Sequence, residues 1–164
     1  MGDPIRILAL DHRALFWEGL IRLLQSEPDF ELVANCDSVA RAGDILRRTA
    51  VDLVLLDYDL GKESTAHLLR ELQGGAERTR VIVITAGTGD TITSEVFDAG
   101  VVGVLYKHRR PAELVKAIRK ILTGELWLDR GAPQSLVSAS KERVEERRSR
   151  TLALELTSSW RLSL

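Results

Sequence analysis

Two rhythms of apolar residues alternate along this chain. Short runs, IRILAL (5–10), ELVAN (31–35), DLVLLD (52–57), VIVIT (81–85) and GVLY (103–106), have the length and the β-branched or leucine content of buried strands. Between them apolar positions recur every three or four residues: Leu15, Phe16, Leu20, Leu23 and Leu24, then Val39, Ala42, Ile45 and Leu46, then Ala66, Leu69 and Leu72. A fourth helix is predicted from about Asp90 to Ala99, stopped by Gly100. The fifth has Pro111 in its first turn, apolar Leu114, Val115, Ile118, Ile121 and Leu122, and Gly124 behind it. Five strand-then-helix units predict an α/β fold: a five-stranded parallel sheet, doubly wound, because right-handed crossovers lay each helix over the sheet.

Composition narrows the picture. The 164 residues, 45% hydrophobic and 29% charged, suffice for one well-cored domain and an appendage. With 23 basic against 24 acidic residues there is no global field to draw the chain onto nucleic acid or an acidic membrane. Cys36 is the single cysteine, which excludes an internal disulfide and a thiolate cluster for zinc. Charges at Asp3, Arg6, Asp11 and Arg13 break any signal-peptide core, and no apolar run nears the ~20 residues of a membrane span. A cytoplasmic protein is expected. His12, His67 and His108 lack metal-ligand spacing.

In open sheets of this kind the functional crevice lies beyond the carboxyl ends of the strands. The first strand ends in Leu10 and Asp11, the third in Asp57, the fourth in Thr85 and the fifth in Tyr106 and Lys107. Two carboxylates at neighbouring strand ends form a hard oxygen site suited to Mg2+, which takes one or two protein carboxylates beside phosphate oxygens. Such an ion lets an anionic phosphoryl donor approach an anionic acceptor. Asp57 is then a candidate nucleophile, Lys107 the cation that neutralises the added charge, and Thr85 a hydroxyl donor to a phosphoryl oxygen.

Asp11, VLLDYDL around Asp57, VIVITAG around Thr85 and GVLYKHRRPAEL around Lys107 together resemble a receiver domain of two-component response regulators, a flavodoxin-like fold. DHRALFWEGLIRLL and AIRKILTGELWLD are similar to the first helix and the exit from the fifth in the NarL/LuxR subfamily. The resemblance implies Asp57 as phospho-acceptor, Asp11 and Asp57 as Mg2+ ligands, Asp59 as a further ligand through its backbone carbonyl, Thr85 as the switch hydroxyl and Lys107 as the phosphate-pairing base. It also implies a sensor histidine kinase as partner and a signalling module rather than an enzyme. The chain departs from that pattern in places. Leu10 stands where the family has a first acid, for which the Asp59 side chain is a candidate replacement. Val104 holds the place of the switch aromatic, and DLGKES lacks the usual Met-Pro-Gly.

The domain division expected is 1–128 for the receiver and 129–164 for a linker and the truncated start of an output domain. GAPQSLVSASKERVEERRSR opens with turn formers and becomes a charged, helix-compatible segment. In the family a helix-turn-helix follows, so DNA would be met only through a domain this stretch does not supply. Trp17 is predicted on the outward side of the first helix, a contact surface for a homodimer through the first and fifth helices. Two other readings stay open. One is an atypical receiver that works as a phosphorylation-independent interaction module, favoured by Leu10 and Val104. The other is an Asp-nucleophile phosphatase, suggested by the Asp-x-Asp of DYDLG.

Overall fold

The computed structural model describes residues 2–11, 15–60, 62–75, 79–86, 101–125, 127–128 and 134–161. Strands β1 (Ile5–Leu10), β2 (Phe30–Cys36), β3 (Leu53–Asp57), β4 (Arg80–Thr85), β5 (Val101–Tyr106) and β6 (Trp127–Leu128) form one sheet in the order β2-β1-β3-β4-β5-β6. Every pairing is parallel. The five predicted strands are present, and the two-residue β6 extends the sheet by pairing with Gly103 and Val104. Helices α1 (Leu15–Ser26), α2 (Val39–Arg48), α3 (Lys62–Gly75) and α4 (Pro111–Leu122) cover it. The helix predicted near 90–99 lies outside the described residues, so α4 here is the fifth helix of the sequence pattern.

Strand side chains alternate between faces, and the core divides accordingly. Ile7, Ala9, Leu53, Leu55, Ile82 and Ile84 pack with residues of α1 and α4, among them Leu20, Leu24, Leu114 and Ile118. Leu8, Leu10, Val54, Leu56, Val81 and Val83 pack with Ala42 of α2 and Leu68, Leu69 and Leu72 of α3. Local signals set the helix ends. Ser38 caps α2 by accepting from the Arg41 N–H, Pro111 opens α4, and Gly124 follows α4 at a φ of +91°, which favours glycine.

The phase of α1 differs from the sequence expectation. Trp17 is 1% exposed and shares the buried stripe of Leu20 and Leu24, whereas Leu15 is 88% exposed. Leu15 is the first helical residue, and spacings of three and seven from Trp17 to Leu20 and Leu24 place the tryptophan, not Leu15, over the sheet. Trp17 is therefore no contact surface, and the homodimer expectation loses the exposed ring on which it stood.

Residues Gln134–Arg161 form one 28-residue helix, α5, of roughly 42 Å at 1.5 Å per residue. Its Leu152, Leu154 and Leu156 are exposed. Arg148, Thr151 and Leu152 of α5 line a cleft of about 600 Å³ with Arg80 and residues 121–125, at the strand starts and far from the Asp57 end. No described helix is long and apolar enough to cross a membrane.

Candidate functional site

The strand order reverses direction between β1 and β3, which places the crevice of a doubly wound sheet at their carboxyl ends. Leu10 is paired with Leu56, so the next residues, Asp11 and Asp57, emerge side by side. Both are 1% exposed. The Asp11 N–H donates to the Cys36 carbonyl at 2.9 Å, fixing the end of β1 against β2. Parity explains the direction of Asp57: it follows Leu53 and Leu55, which face α1 and α4.

Four contacts surround the Asp57 carboxylate. Its Oδ1 accepts from the Asp59 backbone N–H at 3.0 Å, inside the short 3-10 turn Tyr58–Leu60 that follows β3. Lys107 Nζ lies 3.0 Å from Oδ1 and donates to Oδ2 at 3.1 Å. The fourth is Trp17 Nε1, which donates to Oδ2 at 2.8 Å. Lys107 is brought there by β5, and its own N–H donates to the Thr85 carbonyl at 2.8 Å, tying the ends of β4 and β5. Thr85 is buried at the same end of the sheet. The predicted Asp11, Asp57, Thr85 and Lys107 thus all stand at one end of the sheet.

The Asp59 side chain lies beside Lys107. Its carboxylate pairs with Lys107 Nζ at 2.7 Å, and the side chain is 42% exposed. Among the described residues no group of three or more acidic, His or Cys side chains is arranged to hold an ion. A phosphatase reading needs the Asp59 carboxyl to protonate a leaving group, and that carboxyl is engaged with Lys107. Burial works against the charge on Lys107, but its hydrogen bonds to Asp59 and Asp57 together raise its pKa above the ordinary lysine value.

The donor set nonetheless fits Mg2+. Asp57 and Asp59 share the Lys107 ammonium, and Asp57 and its neighbour Asp11 are almost wholly buried. Two neighbouring buried carboxylates are oxygen donors of the kind a divalent cation takes, and Mg2+ needs only one or two of them because it retains water and takes phosphate oxygens. Leu10 explains why no first acid joins them: it is fully buried with Leu8, Val54 and Leu56 on the α2 and α3 face.

Two features near the end of β5 bear on output. Val104 is buried in the sheet, and Tyr106 stacks on His108 with centroids 5.5 Å apart. The contact sequence reasoning missed is Trp17. The signal was available in the spacing of Trp17, Leu20 and Leu24, because a helix covering the α1 face of β3 must bring its first buried ring near the strand end.

A family model described as the response regulator receiver domain matches residues 7–119. The chain is 29% identical over 118 residues to the nitrate/nitrite response regulator protein NarP of Escherichia coli, covering 72% of this chain and 55% of NarP. It is 25% identical over 142 residues to the nitrate/nitrite response regulator protein homolog of Haemophilus influenzae, covering 87% of this chain and 68% of that protein. The chain thus spans between about half and two thirds of these relatives. The receiver domain of the putative response regulator NarL from Mycobacterium tuberculosis superimposes with a TM-score of 0.67 at 27% identity, over 76% of this chain and all of that one. A LuxR-family two-component response regulator from Aurantimonas gives a TM-score of 0.69 at 27% identity, over 86% and 98% of the two chains.

Proposed function

This chain belongs to the response regulator receiver domains, and from that premise we propose that Asp57 is its phospho-acceptor. The observation that carries the reading is the Asp57 carboxylate itself, 1% exposed at the sheet's switch point, held by Lys107 and by the Asp59 N–H, with Asp11 beside it. An Asp57 oxygen bonds to phosphorus as the P–N bond of a kinase phosphohistidine breaks, the electron pair leaving with the imidazole. When bound, Mg2+ supplies the charge neutralisation between two anionic reactants. Asp11 and Asp57 would hold it, together with the Asp59 backbone carbonyl. Lys107 follows the added negative charge, and the Thr85 hydroxyl donates to a phosphoryl oxygen. The kinase partner is a cytoplasmic-facing sensor, and the output is transcriptional control through a DNA-binding domain of the kind the LuxR-family relatives carry, with residues 129–164 as linker and domain start.

Incubation with a small phosphodonor and Mg2+, followed by intact mass, tests this. One added phosphoryl mass that is lost on chelation or in Asp57→Asn supports the acceptor role. No mass gain at saturating Mg2+ leaves the phosphorylation-independent interaction module, which Leu10 and Val104 favour.

A further inference from the structure

We propose that Trp17 gates the phosphorylation site: its indole N–H occupies Asp57 Oδ2 in the unmodified protein and has to leave that oxygen before Mg2+ or phosphorus reaches it. The proposal rests on the acceptor reading above and deepens it. The carboxylate has about four in-plane acceptor directions, two per oxygen. Three hydrogen bonds occupy it, from the Asp59 N–H on Oδ1 and from Lys107 and Trp17 on Oδ2, and the Lys107 ammonium also lies 3.0 Å from Oδ1. The Asp59 donor is backbone, fixed by its turn. Lys107 carries the charge that suits a phosphoryl group and can follow it. The indole is a neutral donor with no acceptor capacity, so it offers nothing to a cation and blocks the oxygen it holds.

Displacing the indole moves more than a side chain. Trp17 is 1% exposed and packed in the same apolar group as Leu20, Leu24, Leu55 and Ile84, which leaves no solvent space for the ring to swing into. Release of Oδ2 therefore shifts the start of α1. This links the state of Asp57 to the α1 face of the domain. The sheet offers no equivalent at β5, where position 104 is a buried valine and Tyr106 is stacked on His108.

Trp17→Phe retains a ring and removes the donor. Losing a hydrogen bond to a charged group corresponds to a change of about 10-fold, so the apparent Mg2+ affinity and the rate of phosphorylation by a small donor should both rise by that order. An unchanged or slower rate in a folded Trp17→Phe protein overturns the gate. The second readout is the indole N–H resonance of Trp17 in the full chain, assigned by its disappearance in Trp17→Phe. It should shift in Asp57→Asn, and shift again when Mg2+ alone, then Mg2+ with beryllofluoride, is added to the native protein. A Trp17 resonance that Mg2+ and beryllofluoride leave in place, while the Lys107 amide moves, contradicts the gate. Failure of the acceptor reading looks different: neither protein then gains phosphoryl mass, and the Mg2+ titration of the indole resonance still decides the gate.

Discussion

Two clusters of acids and bases sit in this domain, and they are built for different ends. On the surface where α1, β2 and α4 meet, Arg119 reaches Asp29 with two nitrogens at 2.9 and 2.7 Å and Glu27 at 2.6 Å, its guanidinium 5.0 Å above the Phe30 ring. The Arg119 and Asp29 side chains are 43% and 45% exposed, so water carries the surplus acid. The hydrogen bond from Arg119 lowers the Asp29 pKa, and the same contacts raise that of Arg119. At the carboxyl end of the sheet Lys107 is shared between Asp57 and Asp59, and Asp57 and the neighbouring Asp11 are buried. Neighbouring carboxylates in a buried site are costly to keep, which is the arrangement expected of a functional rather than a structural cluster. The exposed cluster staples α4 to the start of β2; the buried one, on the proposed reading, takes a cation.

Adding a fourth acid to the buried cluster is the harshest way to break this comparison. Trp17→Glu removes a buried ring and places a carboxylate against Asp57, and it should destabilise by at least about 4 kcal/mol in urea unfolding, with no stable fold at low Mg2+ as the extreme. A well-folded Trp17→Glu protein would return Trp17 to the surface. Leu10→Asp puts the extra acid on the α2 and α3 face, among Leu8, Val54 and Leu56. It should cost about 3 kcal/mol by the same measurement, and added Mg2+ should not restore the loss.

How far the sequence anticipated these sites depends on what each feature rests on. Strand runs such as VIVIT and LVLLD, and the coincidence of Asp11, Asp57, Thr85 and Lys107 at strand ends, were legible because period and order in a parallel sheet determine them. The side of α1 that faces inward was not, because the stripe was drawn through Leu15, a helix-start residue that is 88% exposed. The pairing of Asp59 was not legible for another reason. The direction of a side chain in a three-residue turn depends on its partner, here Lys107, which is far away in sequence.

Lys107→Ala sharpens the comparison from the other side by removing the ammonium that Asp57 and Asp59 share. Unfolding free energy should drop by about 2 kcal/mol without Mg2+, and the deficit should narrow as Mg2+ is added. A deficit indifferent to Mg2+ would mean that the cluster does not take the ion. Arg119→Ala is the smallest change, about 0.5–1 kcal/mol at neutral pH for an exposed network. The sign of its pH dependence is set by Asp29. Its folded pKa lies below 3.8, so the contribution is complete above that value and is lost as the pH falls through the lower folded pKa. Native and Arg119→Ala proteins should therefore converge in urea unfolding only in strong acid, and convergence already at pH near 6 would assign the effect to something other than Asp29.

Trapping the acceptor tests the central claim most directly. After reaction with a small phosphodonor and Mg2+, borohydride reduces an aspartyl phosphate to an alcohol, and peptide mass spectrometry reads the position. The reduced residue is predicted at position 57 alone, dependent on Mg2+ and absent when the phosphodonor is omitted. Reduction at position 11 or 59, or none anywhere despite saturating Mg2+ and donor, would contradict the assignment of Asp57 as the acceptor.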